Sequence, residues 1–139
     1  MVDMKPEPVN RQYLLAKRPA GALQESDFSW TESPTPQPRL GEALVRSLYL
    51  SLDPANRGWI NDVPTYRPPV GLGEPMAGFV IGQVVASNRN DLAVGDMVEG
   101  DGVWQDFAVH GPDSRVYKLP PGDDLVARMS VRGVTGLTA

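Results

Sequence analysis

Pro68-Pro69-Val70-Gly71-Leu72-Gly73-Glu74-Pro75-Met76-Ala77-Gly78 runs straight into the apolar stretch Phe79–Ala86 (FVIGQVVA). A Gly- and Pro-rich loop that feeds a strand places backbone where a ligand or a second domain comes close. The chain has no cysteine, and its one histidine, His110, lies more than thirty residues beyond this run. Metal chemistry therefore has few ligands to draw on. Any chemistry must rest on an organic cofactor or on hydroxyl, carboxylate and guanidinium groups.

Working outward, Ala77–Ser87 reads as a buried strand in which Gly82 marks a bulge or a close backbone approach. Before the loop, Glu42–Leu52 alternates cleanly, with Leu44, Leu48, Leu50 and Leu52 on one face. Asp53-Pro54 opens a short helix over Asp53–Ile60, with Asp53 as the N-cap and Pro54 as a good first residue. Asn61–Val70 is a loop. Asn10–Arg18 and Asp27–Glu32 read as further strands, and the prolines of Ser33–Pro38 suit a linker or sheet edge. Past Ser87, a tight turn at Gly95-Asp96 precedes another strand. Val103–His110 alternates as one strand, and Arg115–Leu119 is a last short one. Asp123–Ser130 reads as a short helix with acidic residues at its start. Seven or so short strands with two minor helices predict a mainly β fold, a small and partly open β-barrel.

Composition agrees. Fourteen glycines and 14 prolines in 139 residues favour short strands and turns over a helical bundle. A formal charge of −4 with no Lys/Arg cluster argues against nucleic acid as a partner. No apolar run is long enough to span a bilayer, and Met1–Pro8 has no secretory h-region. The absence of cysteine fits a cytoplasmic location.

Together NRQYLLAKRPAG (10–21), LYLSLDPANRGWI (48–60), TYRPPVGLGEPMAG (65–78), GFVIGQVVAS (78–87), VGDMVEG (94–100) and GVTGLTA (133–139) cover nearly the whole chain in order. In that combination the sequence resembles the N-terminal, GroES-like domain of the medium-chain dehydrogenase/reductase superfamily. It is most similar to the zinc-independent group of leukotriene B4 dehydrogenases and of prostaglandin, alkenal and curcumin reductases. Many members carry an aromatic residue after the Asp-Pro, where this chain has Ala55. Zinc-dependent relatives carry Gly-His-Glu where this chain reads Gly73-Glu74-Pro75. The resemblance therefore implies neither catalytic nor structural zinc.

The resemblance also implies residues 1–130 as a substrate-side catalytic domain and 131–139 as the start of a connection to a Rossmann cofactor domain. Val131–Ala139 stops where a new helix is expected to begin, with Thr135 as its N-cap, and it reads as a cut or else as a loose tail. No G-x-G-x-x-G follows a strand here, so NADPH would be held mainly elsewhere. By resemblance Tyr66 reaches the substrate pocket and hydrogen-bonds an enone carbonyl, or else it simply covers the barrel mouth. Asn56 and Arg57 are candidates for substrate contact. Arg57 could instead pair with Asp53 or Asp62. Met76, Ala77 and Gly78 are candidates for the nicotinamide floor, Met76 also touching substrate, or else they form a strand entry packed on the core. Glu74 reads as a turn residue and His110 as a surface or edge residue. Trp30, Trp59 and Trp104 look too scattered for a stacking platform.

The expected function is NADPH-dependent reduction of the C=C bond of α,β-unsaturated ketones or aldehydes by the longer protein, acting as a homodimer. The 139-residue piece alone is expected to be inactive. A stand-alone GroES-like binding module is the other reading.

Overall fold

The computed structural model describes residues 9–133. Residues 1–8 and most of the GVTGLTA segment, including the helix start expected at Thr135, lie outside them.

Among the described residues the chain is mainly β. The strands are β1 (Val9–Leu15), β2 (Phe28–Pro34), β3 (Ala43–Ser51), β4 (Ala77–Ser87), β5 (Met97–Val103), β6 (Phe107–His110) and β7 (Val116–Lys118). The two helices are α1 (Pro54–Trp59) and α2 (Leu125–Met129), the latter capped by the Asp124 carboxylate, which accepts from Ala127 N at 3.0 Å. Strands β1 and β2 form a hairpin. The other five form an antiparallel sheet in the order β6-β3-β4-β5-β7.

The hairpin closes over the open side of the sheet through backbone bonds. Tyr13 N donates to Trp104 O at 3.0 Å, Met76 N to Tyr13 O at 2.9 Å, and Leu15 N to Glu74 O at 2.9 Å. This gives the partly open, GroES-like arrangement. Buried Asn10 reinforces it, its Oδ1 accepting from Phe107 N at 2.9 Å and its Nδ2 donating to Gln105 Oε1 at 3.0 Å. Asn10→Leu should destabilise the domain by about 2 kcal/mol, because the buried Phe107 N–H loses its acceptor. Urea unfolding checks this, and a change under about 0.5 kcal/mol would mean that the hairpin docks without this bond.

Two sequence expectations change. The alternation of Glu42–Leu52 does not persist. The register between β3 and β4 slips at Leu44/Val45 and again between Ser47 and Tyr49, where Leu48 is left over. A bulge moves every later side chain out of phase. Leu44 is fully buried, whereas Leu52 is 72% exposed and Leu48 and Leu50 are also exposed. Gly82 pairs with Ser47 just before this slip, and a Cβ there would lie 2.5 Å from Arg46 O, the close approach expected of it.

The second change concerns Val103–His110, which is two strands. β5 ends at Val103, whose carbonyl accepts from Gln105 N at 2.8 Å in a tight reversal. Arg11 grips the Asp106 carboxylate through Nε at 2.7 Å and Nη2 at 3.0 Å. Trp104 is drawn into a cluster with Tyr13 and Phe28, while β6 leaves to pair with β3. Trp30 also packs edge-on against Tyr13, so Trp30 and Trp104 share Tyr13 as a neighbour.

His110 lies on the edge strand as expected but is half-buried rather than on the surface. Burial, with the Arg89 charge adding to it, pushes its imidazole below the ordinary value of 6.5. The folded chain thus takes up this proton less readily than the unfolded one. The stability contributed by neutral His110 is present above about pH 6.5 and declines as pH falls through that value. The Arg11 hydrogen bond holds the Asp106 carboxyl below its usual 3.8, so the loss from that group comes only in stronger acid. Melting temperature should therefore begin to fall as pH drops below about 6.5 in the natural chain and stay flatter in His110→Gln. Superimposable profiles would remove His110 as the cause.

Candidate functional site

Helix α1 starts because Asp53 N donates to Asn56 Oδ1 at 3.0 Å in the reciprocal pattern of a capping box, with Pro54 at the first turn. The Asp53 carboxylate also accepts from the Ser51 hydroxyl. Asn56 is buried, and its Nδ2 donates to Ala77 O at 3.2 Å, tying the helix to β4. Both ends of its amide are therefore occupied by the fold. Arg57 turns to Asn61 Oδ1 at 2.7 Å and Gly21 O at 2.9 Å, not to the carboxylates of Asp53 or Asp62. The four-residue helical spacing brings Asn61 within its reach.

The loop after α1 is pinned at its base. Arg18 Nη1 donates to Ile60 O at 3.0 Å and to Val70 O at 2.7 Å, and Val70 N donates to Trp59 O at 2.8 Å. The enclosed segment carries Tyr66 and Arg67 back onto Trp59. Trp59 Nε1 donates to the Tyr66 hydroxyl oxygen at 2.9 Å, and the two rings meet edge-on at 6.2 Å. The Arg67 guanidinium lies 4.5 Å from the centre of the Trp59 ring.

These three side chains form one wall of a cleft of about 790 Å³. Pro54, Ala55 and Phe79 add apolar surface, and Arg115 and Arg128 also line the cleft. The Arg128 charge is matched by Glu99, to which its Nε donates at 2.9 Å. The volume and the mix of apolar lining with a few polar groups suit a small organic ligand.

Of the expected site residues, Tyr66 alone lines this cleft. Met76 and Ala77 are buried in a core cluster with Leu15, Ile60 and Val70. Gly78 faces Leu50 and Trp104, where a Cβ would sit 2.9 Å and 3.0 Å from their nearest atoms. Glu74 closes its own turn, its carboxylate accepting from Gly71 N at 3.0 Å. Arg67 and Phe79 were missed from sequence. An arginine in a loop carries no sign that it will stack, and Phe79 reads as one more strand residue.

Among the described residues no three His, Cys, Asp or Glu side chains gather as metal ligands. No described helix is long and apolar enough to cross a membrane.

Residues 11–119 match the family described as the N-terminal domain of oxidoreductase. The chain is 39% identical over 130 residues to the NADPH-dependent curcumin reductase of Escherichia coli K12, covering 94% of this chain and 38% of that protein. It is 27% identical over 142 residues to the 2-alkenal reductase (NADP+-dependent) of Nicotiana tabacum, covering 98% of this chain and 41% of that one. The crystal structure of CurA from Vibrio vulnificus in complex with NADPH superposes with a TM-score of 0.82 at 40% identity, over 92% of this chain and 38% of that one. The chain thus spans about two-fifths of the length of these relatives. With a family match across most of its strands and this level of identity, the chain belongs to the oxidoreductase N-terminal domain family, in the medium-chain dehydrogenase/reductase group.

Proposed function

We propose that the protein containing this domain is an NADPH-dependent reductase of the C=C bond in α,β-unsaturated ketones and aldehydes. The observation that carries this reading is Tyr66. It is 79% exposed at the cleft, with its oxygen held by Trp59 and its own O–H without an acceptor among the described residues. A fixed phenol with a free proton is suited to an enone carbonyl. The names of the curcumin and alkenal reductase relatives support the same substrate class.

The cleft also fits the reactive end of the cofactor. The apolar wall of Pro54, Ala55 and Phe79 suits a flat ring, and these residues rather than the core residues Met76 and Ala77 would lie against it. The described residues offer no glycine-rich loop after a strand for the phosphates, so residues 1–139 alone should be inactive. When bound, NADPH supplies hydride to the β-carbon of the substrate. Tyr66 donates a hydrogen bond to the carbonyl oxygen as it becomes an enolate, and the proton that completes the product enters at the α-carbon. The apolar wall keeps water from the reacting carbons.

Residues 1–130 then act as the substrate-side domain, with 131–139 leading toward the cofactor domain. The exposed Leu48, Tyr49, Leu50 and Leu52 offer an apolar face for that domain or for the second subunit of a homodimer. The test is NADPH oxidation with a panel of enones by the full-length protein beside residues 1–139. Turnover by the long form alone supports the reading. An absence of both turnover and NADPH binding in the long form overturns it in favour of a binding module.

A further inference from the structure

Arg67 has no role in the reading above, yet its placement is unusual. Its Nε is shielded from water and has no hydrogen-bond partner. Among the described residues its guanidinium has no carboxylate or carbonyl acceptor, and the Trp59 ring beneath it at 4.5 Å is its one described partner. A partly buried cation normally keeps acceptors, because leaving its donors unmatched is costly. Stacking fixes the plane of the guanidinium without using its N–H groups.

Tyr66 is in the same condition. Its oxygen accepts from Trp59 Nε1 at 2.9 Å, while its hydrogen is unused among the described residues. One indole therefore carries two open donors, Tyr66 at its N–H edge and Arg67 over its face. Both side chains line the same cleft. Among those described, four other charged residues line the cleft. Asp53 belongs to the helix cap, Arg128 is paired with Glu99, and Asp101 and Arg115 stand on β5 and just ahead of β7.

We propose that Arg67 is a second oxyanion donor beside Tyr66, so that the cleft takes a ligand whose oxygen carries, or develops, negative charge. This rests on the reductase reading for its natural ligand, the enolate. Hydride from NADPH bonds to the β-carbon and leaves NADP+. The π pair of the C=C bond shifts through the α-carbon, and negative charge collects on the carbonyl oxygen. Arg67 stabilises that charge and transfers no proton, since a guanidinium stays protonated. The proton that reaches the α-carbon comes from water, which is left as hydroxide, and Tyr66 keeps its own. Catalytic donors of this kind are worth about a hundredfold in turnover each.

The experiment uses the full chain and two readouts. The first needs no turnover. 4-Nitrophenol absorbs differently as phenol and as phenolate, and it mimics the enolate oxygen on a flat ring. Bound to the natural protein it should shift toward phenolate at a pH where the free compound is evenly split. Arg67→Met should abolish most of that shift, and Arg67→Lys should restore part of it. The second readout is enone turnover, where Arg67→Met should lower kcat about a hundredfold with a smaller change in KM. Circular dichroism confirms that each variant is folded. No phenolate bias in the natural protein, or an equal bias in Arg67→Met, overturns the inference whatever the turnover. A bias that depends on Arg67, in a protein that reduces no enone, upholds the oxyanion site and overturns the reductase reading.

Discussion

Tyr66→Phe in the full-length protein is expected to lower kcat for enone reduction by about a hundredfold, with KM nearly unchanged. A neutral carbonyl gains little from one hydrogen bond in exchange for water, whereas an enolate oxygen gains much more, so the loss falls on the transition state. The variant is structurally mild. The phenyl ring keeps its edge-on packing against Trp59 at 6.2 Å, and the exposed Trp59 Nε1 can turn to water in place of the hydroxyl. Stability should therefore change by less than about 0.5 kcal/mol. Steady-state kinetics beside urea unfolding separates the two effects. A kcat within a factor of about two of the natural enzyme would reduce Tyr66 to a cover over the barrel mouth and would remove the main support for the proposed chemistry.

The largest effect on stability is expected at Gly100. It sits in β5 opposite Val80 on one side and Val116 on the other. A Cβ there would lie 1.9 Å from Arg115 O and 2.9 Å from Val116 Cα. Both are backbone atoms, so no side chain can swing aside to relieve the clash. The edge strand β7 would have to move away and weaken its pairing with β5, while Val116 belongs to the core cluster with Val45, Val84 and Val98. Gly100→Ala should cost about 3 kcal/mol and lower the melting temperature by roughly 10 °C. Differential scanning calorimetry gives the value directly. A fall of under about 2 °C would show that β7 adjusts freely and contributes little to the sheet. Since Arg115 just precedes β7 and lines the cleft, the same variant should also disturb the cleft lining.

Much of this architecture was legible in the chain itself. The Gly- and Pro-rich loop before Ala77–Ser87, the Asp53-Pro54 helix start and the turn at Gly95-Asp96 each carry local chemistry that forces one conformation, and each appears where expected. The family, too, was readable from six segments in order. Tyr66 was a candidate through the family resemblance of its loop, TYRPPVGLGEPMAG, which its position in a loop alone would not have made it. Arg57 illustrates the limit. Asn61 and Gly21 take its donors, and only one of those partners is near it in sequence.

The rest was decided by contacts between distant segments. Periodicity fixes which residues share a face only while the register holds. The slips in the β3–β4 pairing belong to two strands at once and cannot be seen in either. The break at Trp104 arises because Arg11 and Tyr13, more than ninety residues earlier, offer that reversal its partners. The cleft depends on such pairings most of all. Arg18 closes a loop more than forty residues away, Trp59 then receives both Tyr66 and Arg67, and Met76 and Ala77 are enclosed in the core behind them. Local chemistry in the sequence determined the elements and the family; which side chains keep unmatched donors beside a common cleft was settled only when the fold had used up the others.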